Sequence, residues 1–495
     1  MAAPTVSAAP NRRSRVVVAS LIGTTIEFYD FYIYGTAAVL VFPKLFFPHE
    51  SPAAAQLSSF LTFALAFFAR PVGSVVFGHF GDRVGRKRTL VAALLITGAA
   101  TILIGCLPTY GTIGIWAPIL LAALRFGQGV GLGGEWSGAA LFATENAPAG
   151  RRGLFGSLPQ LGAPLGFILA NGVFLVLTAL LPKHSVDASA VTFENFGWRI
   201  PFLLSAILVI VGLYVRFRLS ESAVFTSAVR SGGIARVPVA RVFRTHWKNV
   251  VLGTLICVST YVLFYFMTTF TLTYGTAAEY PANGAKAGLG YERTTFLGFL
   301  LIAVVFFGVF TVVSGLAADR VGRRRTLLAA ITAVAVFGLL FQPWFTVAGA
   351  VPTVSFLVVG LILMGASYGP MGSLLPELFP VDVRYTGSAV VYNLGGVLGA
   401  SLAPVIALAL WRPDGNILLV GLYLTAAGVV SLAALLAVGE TRDTDFAART
   451  AGARPVAPVP VAHAMAPVVG AGGFVPGDGG DAGHRVGGRG DDEQG

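Results

Sequence analysis

The chain places few charges inside its apolar stretches, and those it places are spaced to meet. Gly23, Glu27, Asp30 and Tyr34 follow i, i+4, i+7 and i+11, so a helix would set all four on one face. Arg70 stands alone in the next apolar stretch, and Arg125, Gln128 and Glu135 share one face of a later one. An ionisable group in such a stretch is costly and is a functional candidate by default. Burial and a neighbouring guanidinium pull on a carboxyl's proton in opposite directions, so Asp30, Glu27 and Glu135 read as sites of proton exchange. A planar guanidinium gives a carboxylate two parallel charge-assisted hydrogen bonds, so Arg125 and Arg70 read as ligands of a small acid, with Tyr34 and Gln128 beside them. Counting along each helix gives depths of about 15 Å for Glu27 and 16 Å for Arg70, and of about 20 Å for Asp30 and 24 Å for Arg125. Opposite charges at shared levels suggest that Glu27 compensates Arg70 while Asp30 faces Arg125 across a central cavity. Arg125 is then the expected substrate ligand and Arg70 a brace. The competing reading is a permanently ionised set that only neutralises itself.

Such residues need elements that hold them away from water, and the composition supplies them. Of 495 residues, 55% are hydrophobic and 12% charged, and the mean hydropathy is +0.77. That is too little charge to cover a soluble protein of this length. Apolar runs of about twenty residues recur, each long enough as a helix to cross a hydrocarbon core of about 30 Å. Six fall within 17–217 and six within 248–438. A β-barrel would need strict alternation, which these runs lack. The expected fold is therefore an all-α membrane protein, twelve transmembrane helices in two six-helix bundles. The first run is too long for a signal-peptide core and should persist as the first helix.

Lys and Arg favour one set of loops by 21 to six, which places both termini in the cytoplasm. Residues 1–16 then form a cytoplasmic N-terminus. Residues 218–247 mix Arg, Ser and Gly as a linker does, and 439–495 turn to Ala, Gly, Pro and Val as a disordered cytoplasmic tail does. Topology accounts for the net charge of +11, and no basic patch calls for nucleic acid. Cys106 and Cys257 imply neither a disulfide nor a metal site, and no phosphate-binding Gly-x-x-x-x-Gly-Lys-Ser/Thr is present. No nucleophile, base and orienting group can be assembled from the buried residues, which argues against an enzyme. With no cofactor implied, an ion gradient is the expected source of energy.

One basic hairpin is written twice. Gly78 to Leu90 returns 237 residues later as Gly315 to Leu327, identical at nine of thirteen positions. Gly78, Asp82, Arg83, Gly85 and Arg86 thus have partners that include Asp319, Arg320, Gly322 and Arg323. Glu145, Pro148 and Arg152 recur similarly as Glu377, Pro380 and Arg384. Parallel duplication of six-helix halves places a substrate between them near the membrane midplane. The aspartates, shallow and beside arginines, read as latches between helix ends. The second half lacks deep charges and offers Tyr261, Tyr265, Tyr368 and Asn393, with Phe264 and Tyr392 near them, as an aromatic and amide surface for the rest of the ligand.

Gly78 to Arg88 resembles the Gly-x-x-x-Asp-Arg-x-Gly-Arg-Lys/Arg hairpin of the major facilitator superfamily, and Arg125-x-x-Gln128-Gly129-x-Gly131 is similar to its fourth-helix motif. Ile26 to Gly35, Phe67 to Gly73, Gly133-Gly134-Glu135-Trp136 and Gly197 to Phe202 together resemble the metabolite:H⁺ symporter family, over roughly residues 15 to 440. Members of that family carry shikimate, 2-oxoglutarate, citrate, dicarboxylates, proline or betaine. The resemblance implies a monomeric plasma-membrane symporter that uses the H⁺ gradient to import a small polar metabolite. A mono- or dicarboxylate such as shikimate is expected, with a proline or glycine betaine osmolyte as the alternative.

Overall fold

The computed structural model describes residues 13–182, 191–217, 238–279 and 287–444. Every regular element among them is helical, as lipid requires, since each backbone amide must find its acceptor within its own segment. The first half runs α1 Arg13–Leu40, α2 Pro52–Arg83, α3 Arg86–Cys106, α4 Trp116–Glu145, α5 Arg152–Leu180 and α6 Ile200–Phe217. The second runs α7 Trp247–Thr276, α8 Arg293–Val321, α9 Arg323–Leu339, α10 Ala350–Glu377, α11 Arg384–Leu410 and α12 Leu418–Leu436. Among the described residues, ten helices are long and apolar enough to span a membrane by themselves. The other two fall short for visible reasons. Arg125, Gln128 and a series of glycines dilute α4, and α9 has 17 residues before a turn leads into Phe341–Phe345.

Helices α5, α7, α10 and α11 are each interrupted within their length. α5 turns at Leu161, between Pro159 and Pro164, and α10 breaks at Gly369-Pro370. α7 widens into a π turn at Phe266–Phe270, and α11 does the same at Val397–Ser401, just before Pro404. Proline has no N–H to give and crowds the preceding turn, so the chain bends where it stands. The glycines of α4 serve another purpose. A Cβ on Gly133 would lie 2.7 Å from Ser74 N, and one on Gly129 2.7 Å from Ala66 Cα, so the series is the surface on which α2 lies closely.

Both hairpins turn on a glycine in the left-handed region, Gly85 at φ 119° and Gly322 at φ 114°, where a Cβ would be strained. Of the expected linker, residues 218–237 lie outside the described set, while Pro238–Thr245 is a short helix that buries Pro238 and Val242. Residues 445–495 of the expected tail also lie outside it. Its first six residues are instead folded on to the protein. Glu440 accepts hydrogen bonds from Arg323 N at 2.8 Å and Arg324 N at 3.2 Å, capping α9, and Thr441 Oγ1 donates to Glu377 at 2.6 Å. An orphaned helix N-terminus recruits a carboxylate wherever the chain can deliver one.

Candidate functional site

Between the two halves lies a small cavity of about 30 Å³. Phe28, Phe31, Arg70 and Ala163 line it from the first half. The second half supplies Thr260, Tyr261, Phe264 and Tyr265 from α7, Met364, Tyr368 and Met371 from α10, and Tyr392 from α11. Arg70 is 6% exposed. Among the described residues it takes part in no ion pair and no hydrogen bond, and its Nε is buried without a partner. Its guanidinium carbon lies 5.2 Å from the centre of the Phe31 ring and 5.3 Å from that of Phe67. Ring faces soften the burial of a cation but leave its N–H groups unmet. Glu27, buried at 2% and with Oε2 also unpartnered, interacts with Arg70 through space without forming an ion pair.

Arg125 is placed differently from the sequence expectation. Its guanidinium lies 3.9 Å from the centre of the Tyr34 ring and donates to Gln128 Oε1. Gln128 Nε2 donates to Thr101 Oγ1 at 2.7 Å, Thr101 Oγ1 lies 3.1 Å from Asp30 Oδ2, and Ser205 Oγ donates to Asp30 Oδ1 at 2.6 Å. Asp30 and Arg125 therefore do not face each other across a cavity. They are the two ends of a hydrogen-bonded chain inside the first half, passing from α1 through α3 to α4, with α6 closing it. Tyr34 belongs to this brace as well, donating to Thr62 Oγ1 at 2.9 Å. Four of the expected substrate residues line the cavity, Arg70, Tyr261, Tyr265 and Tyr368; Arg125, Tyr34, Gln128 and Asn393 do not.

Within the first half, Glu135 forms a buried ion pair with Arg216. Arg216, near the C-terminal end of α6, is 3% exposed and also donates to the Leu90 carbonyl at 2.6 Å. The signal was present: Ser205, Val209, Gly212 and Arg216 form the buried stripe of α6 at helical spacing. Thr101 carries no such signal, because a hydroxyl in an apolar run is unremarkable until its neighbours are known.

On the hairpin face the halves are tied by two equivalent devices. Asp82, at the end of α2, accepts from Tyr385 N at 3.2 Å, Thr386 N at 2.9 Å and Thr386 Oγ1 at 2.8 Å, which caps the N-terminus of α11. Asp319, at the end of α8, accepts from Gly153 N at 2.7 Å and Leu154 N at 2.9 Å, capping α5, and pairs with Arg323 at 3.1 Å. Neither helix carries a capping side chain of its own, so each borrows one from the opposite half. Arg323 goes on to Glu377 at 3.2 Å, whereas Arg83 and Arg320 are exposed. Gly78 allows the approach, since a Cβ there would lie 2.8 Å from Thr386 Cα.

Deeper in the same seam, Asn393 Nδ2 donates to Gly133 O at 2.8 Å and Tyr385 OH to Gly134 O at 2.6 Å. Trp136 stacks on Tyr392 with ring centroids 3.6 Å apart and planes within 3°. Trp136 Nε1 donates to Gln160 Oε1 at 2.6 Å, and Gln160 Nε2 donates to Tyr368 O at 3.0 Å. This layer floors the cavity on the hairpin side.

Residues 16–236 and 245–442 match the family described as Sugar (and other) transporter. The inner membrane metabolite transport protein YhjE of Escherichia coli strain K12 is 53% identical over 433 residues, 87% of this chain and 95% of that protein. The shikimate transporter of the same organism is 35% identical over 428 residues, covering 85% and 93%. Among solved structures, the proton:xylose symporter XylE of the major facilitator superfamily, bound to 6-bromo-6-deoxy-D-glucose, superposes with a TM-score of 0.69 at 17% identity, covering 88% of this chain and 98% of that one. At that identity the likeness concerns the fold.

Proposed function

Because the chain belongs to the sugar (and other) transporter family of the major facilitator superfamily, we propose that it is a cell-membrane proton symporter importing a small metabolite that carries one carboxylate. The observation that supports this is Arg70. A buried guanidinium with unmet N–H groups on a cavity wall suits an anion that arrives and leaves, and the other deep arginines are held, Arg125 by Gln128 and Arg216 by Glu135. One open guanidinium suits one carboxylate. The hydroxyls of Tyr261, Tyr265, Tyr368 and Thr260 suit a hydroxylated remainder such as that of shikimate, the cargo named for one relative.

In this reading Asp30 takes the proton and Glu27 is the resting counter-charge of Arg70, displaced when the substrate carboxylate arrives. The Asp82 and Asp319 caps hold the hairpin face shut while the cavity loads from the other side. Releasing them opens the cytoplasmic face, the side on which the excess of Lys and Arg places both termini. The ring-rich wall formed by Tyr261, Phe264, Tyr265 and Tyr392 favours a second reading, in which a zwitterion such as glycine betaine sets its cation against the rings.

The test is uptake of shikimate and of glycine betaine into proteoliposomes under an imposed pH gradient. Shikimate uptake that collapses without the gradient is expected, with an Arg70→Gln variant losing roughly ten- to a hundredfold in apparent affinity, the scale of a lost charged hydrogen bond. Betaine uptake with shikimate excluded would select the zwitterion, and unaltered affinity in Arg70→Gln would remove Arg70 from the site.

A further inference from the structure

The chain behind Asp30 contains one atom with more partners than hydrogens. Arg125 can only donate, so the Gln128 oxygen must face it, and the Gln128 Nε2 that remains must donate to Thr101 Oγ1, 2.7 Å away. The single Thr101 hydrogen then has two acceptors within reach, Asp30 Oδ2 at 3.1 Å and the Thr97 carbonyl at 2.9 Å. It serves one or the other.

Resting on the proton-symport reading, we propose that Thr101 is a positioning residue that couples the protonation of Asp30 to the brace formed by Gln128 and Arg125. With Asp30 ionised, the Thr101 hydrogen points to Oδ2. With a proton on Oδ2, Asp30 donates to Thr101 Oγ1, which turns its own hydrogen to the Thr97 carbonyl while still accepting from Gln128. One proton enters at Asp30, the Thr101 hydrogen only changes acceptor, and no other group gains or loses one. Each state keeps Asp30, Thr101 and Gln128 hydrogen-bonded, which lets a group at 0% exposure change charge without orphaning those neighbours.

The surroundings of Asp30 leave few other routes for this coupling. Ser205 from α6 holds the opposite oxygen, Arg125 and Glu135 act from α4 through space, and Tyr29 is the titratable neighbour on α1. Arg125 in turn shares the Phe31 ring with Arg70, its guanidinium carbon 5.3 Å from the ring centre against 5.2 Å for Arg70. A substrate held by Arg70 thus sits one ring away from the far end of the relay.

The experiment is infrared titration of the purified full-length protein in liposomes, without substrate, following the protonated carboxyl band that Asp30→Asn abolishes. Thr101→Val is expected to move the midpoint of that band by about one pH unit, a tenfold change in proton affinity. Thr101→Ser should restore it. Gln128→Leu, which cuts the same chain from α4, should move it similarly, and the double variant no further. If Thr101→Val does not fold, Gln128→Leu carries the test alone. An Asp30 band that titrates with the wild-type midpoint in Thr101→Val or Gln128→Leu would overturn the relay. A band that never changes between about pH 4 and 10 would instead overturn Asp30 as the proton carrier.

Discussion

Two arginines of the first half show how neighbours decide what a charge is for. Arg70 and Arg125 are both buried, yet Arg125 has an amide to hold and Arg70 has only ring faces. The third, Arg216, is half of an ion pair with Glu135, and removing one member of such a pair strands the other. Glu135→Gln alone should therefore cost about 3–5 kcal/mol, seen as an earlier thermal unfolding midpoint, and Glu135→Gln combined with Arg216→Met should recover most of it. Proton-driven uptake is expected to survive in that double variant. A folded double variant that has lost coupling would return Glu135 to the proton path.

At the scale of elements, the hairpin aspartates work because helices α5 and α11 begin without caps of their own. The N–H groups at each start are then met only while the halves stay together on that face. A negative charge at a helix N-terminus is worth about 0.3–1 kcal/mol, so Asp82→Asn or Asp319→Asn should shift the balance between closed and open hairpin faces by roughly two- to fivefold. Asp82 caps α11 and Asp319 caps α5, at separate places on that face, so their effects should add. Spin-label distances across the seam would report the shift. Unchanged distance distributions in the double Asn variant would show that the Trp136–Tyr392 layer, and not the caps, holds the face closed.

For the molecule as a whole, six charges buried among the helices of the first half balance one another. Glu27, Asp30 and Glu135 stand against Arg70, Arg125 and Arg216, all of them buried. A carboxylate entering with one proton preserves that balance, which low-dielectric surroundings favour. Transport of a monoanion with one proton should then be electroneutral. Uptake under a fixed pH gradient is expected to be the same with and without a potassium diffusion potential across the liposome, and a potential-driven increase would show that more charge crosses. The second half, with its tyrosines and broken α7, α10 and α11, supplies the aromatic wall of the cavity beside this neutral core.

The amino-acid sequence by itself determined the solvent, the helices, their duplication and the two hairpin aspartates, because hydropathy, repeats and turn glycines such as Gly85 and Gly322 act within a short stretch of chain. It also picked out the deep charges, since any such group in an apolar run stands out. What each charge touches was decided only by tertiary structure. Asp30 meets Thr101 and Ser205 from two other helices, Arg216 folds back to Glu135, and Arg70 is left open to the cavity. Depth follows from position along one helix, whereas pairing depends on how several helices are rotated and packed against one another, and no single segment encodes that.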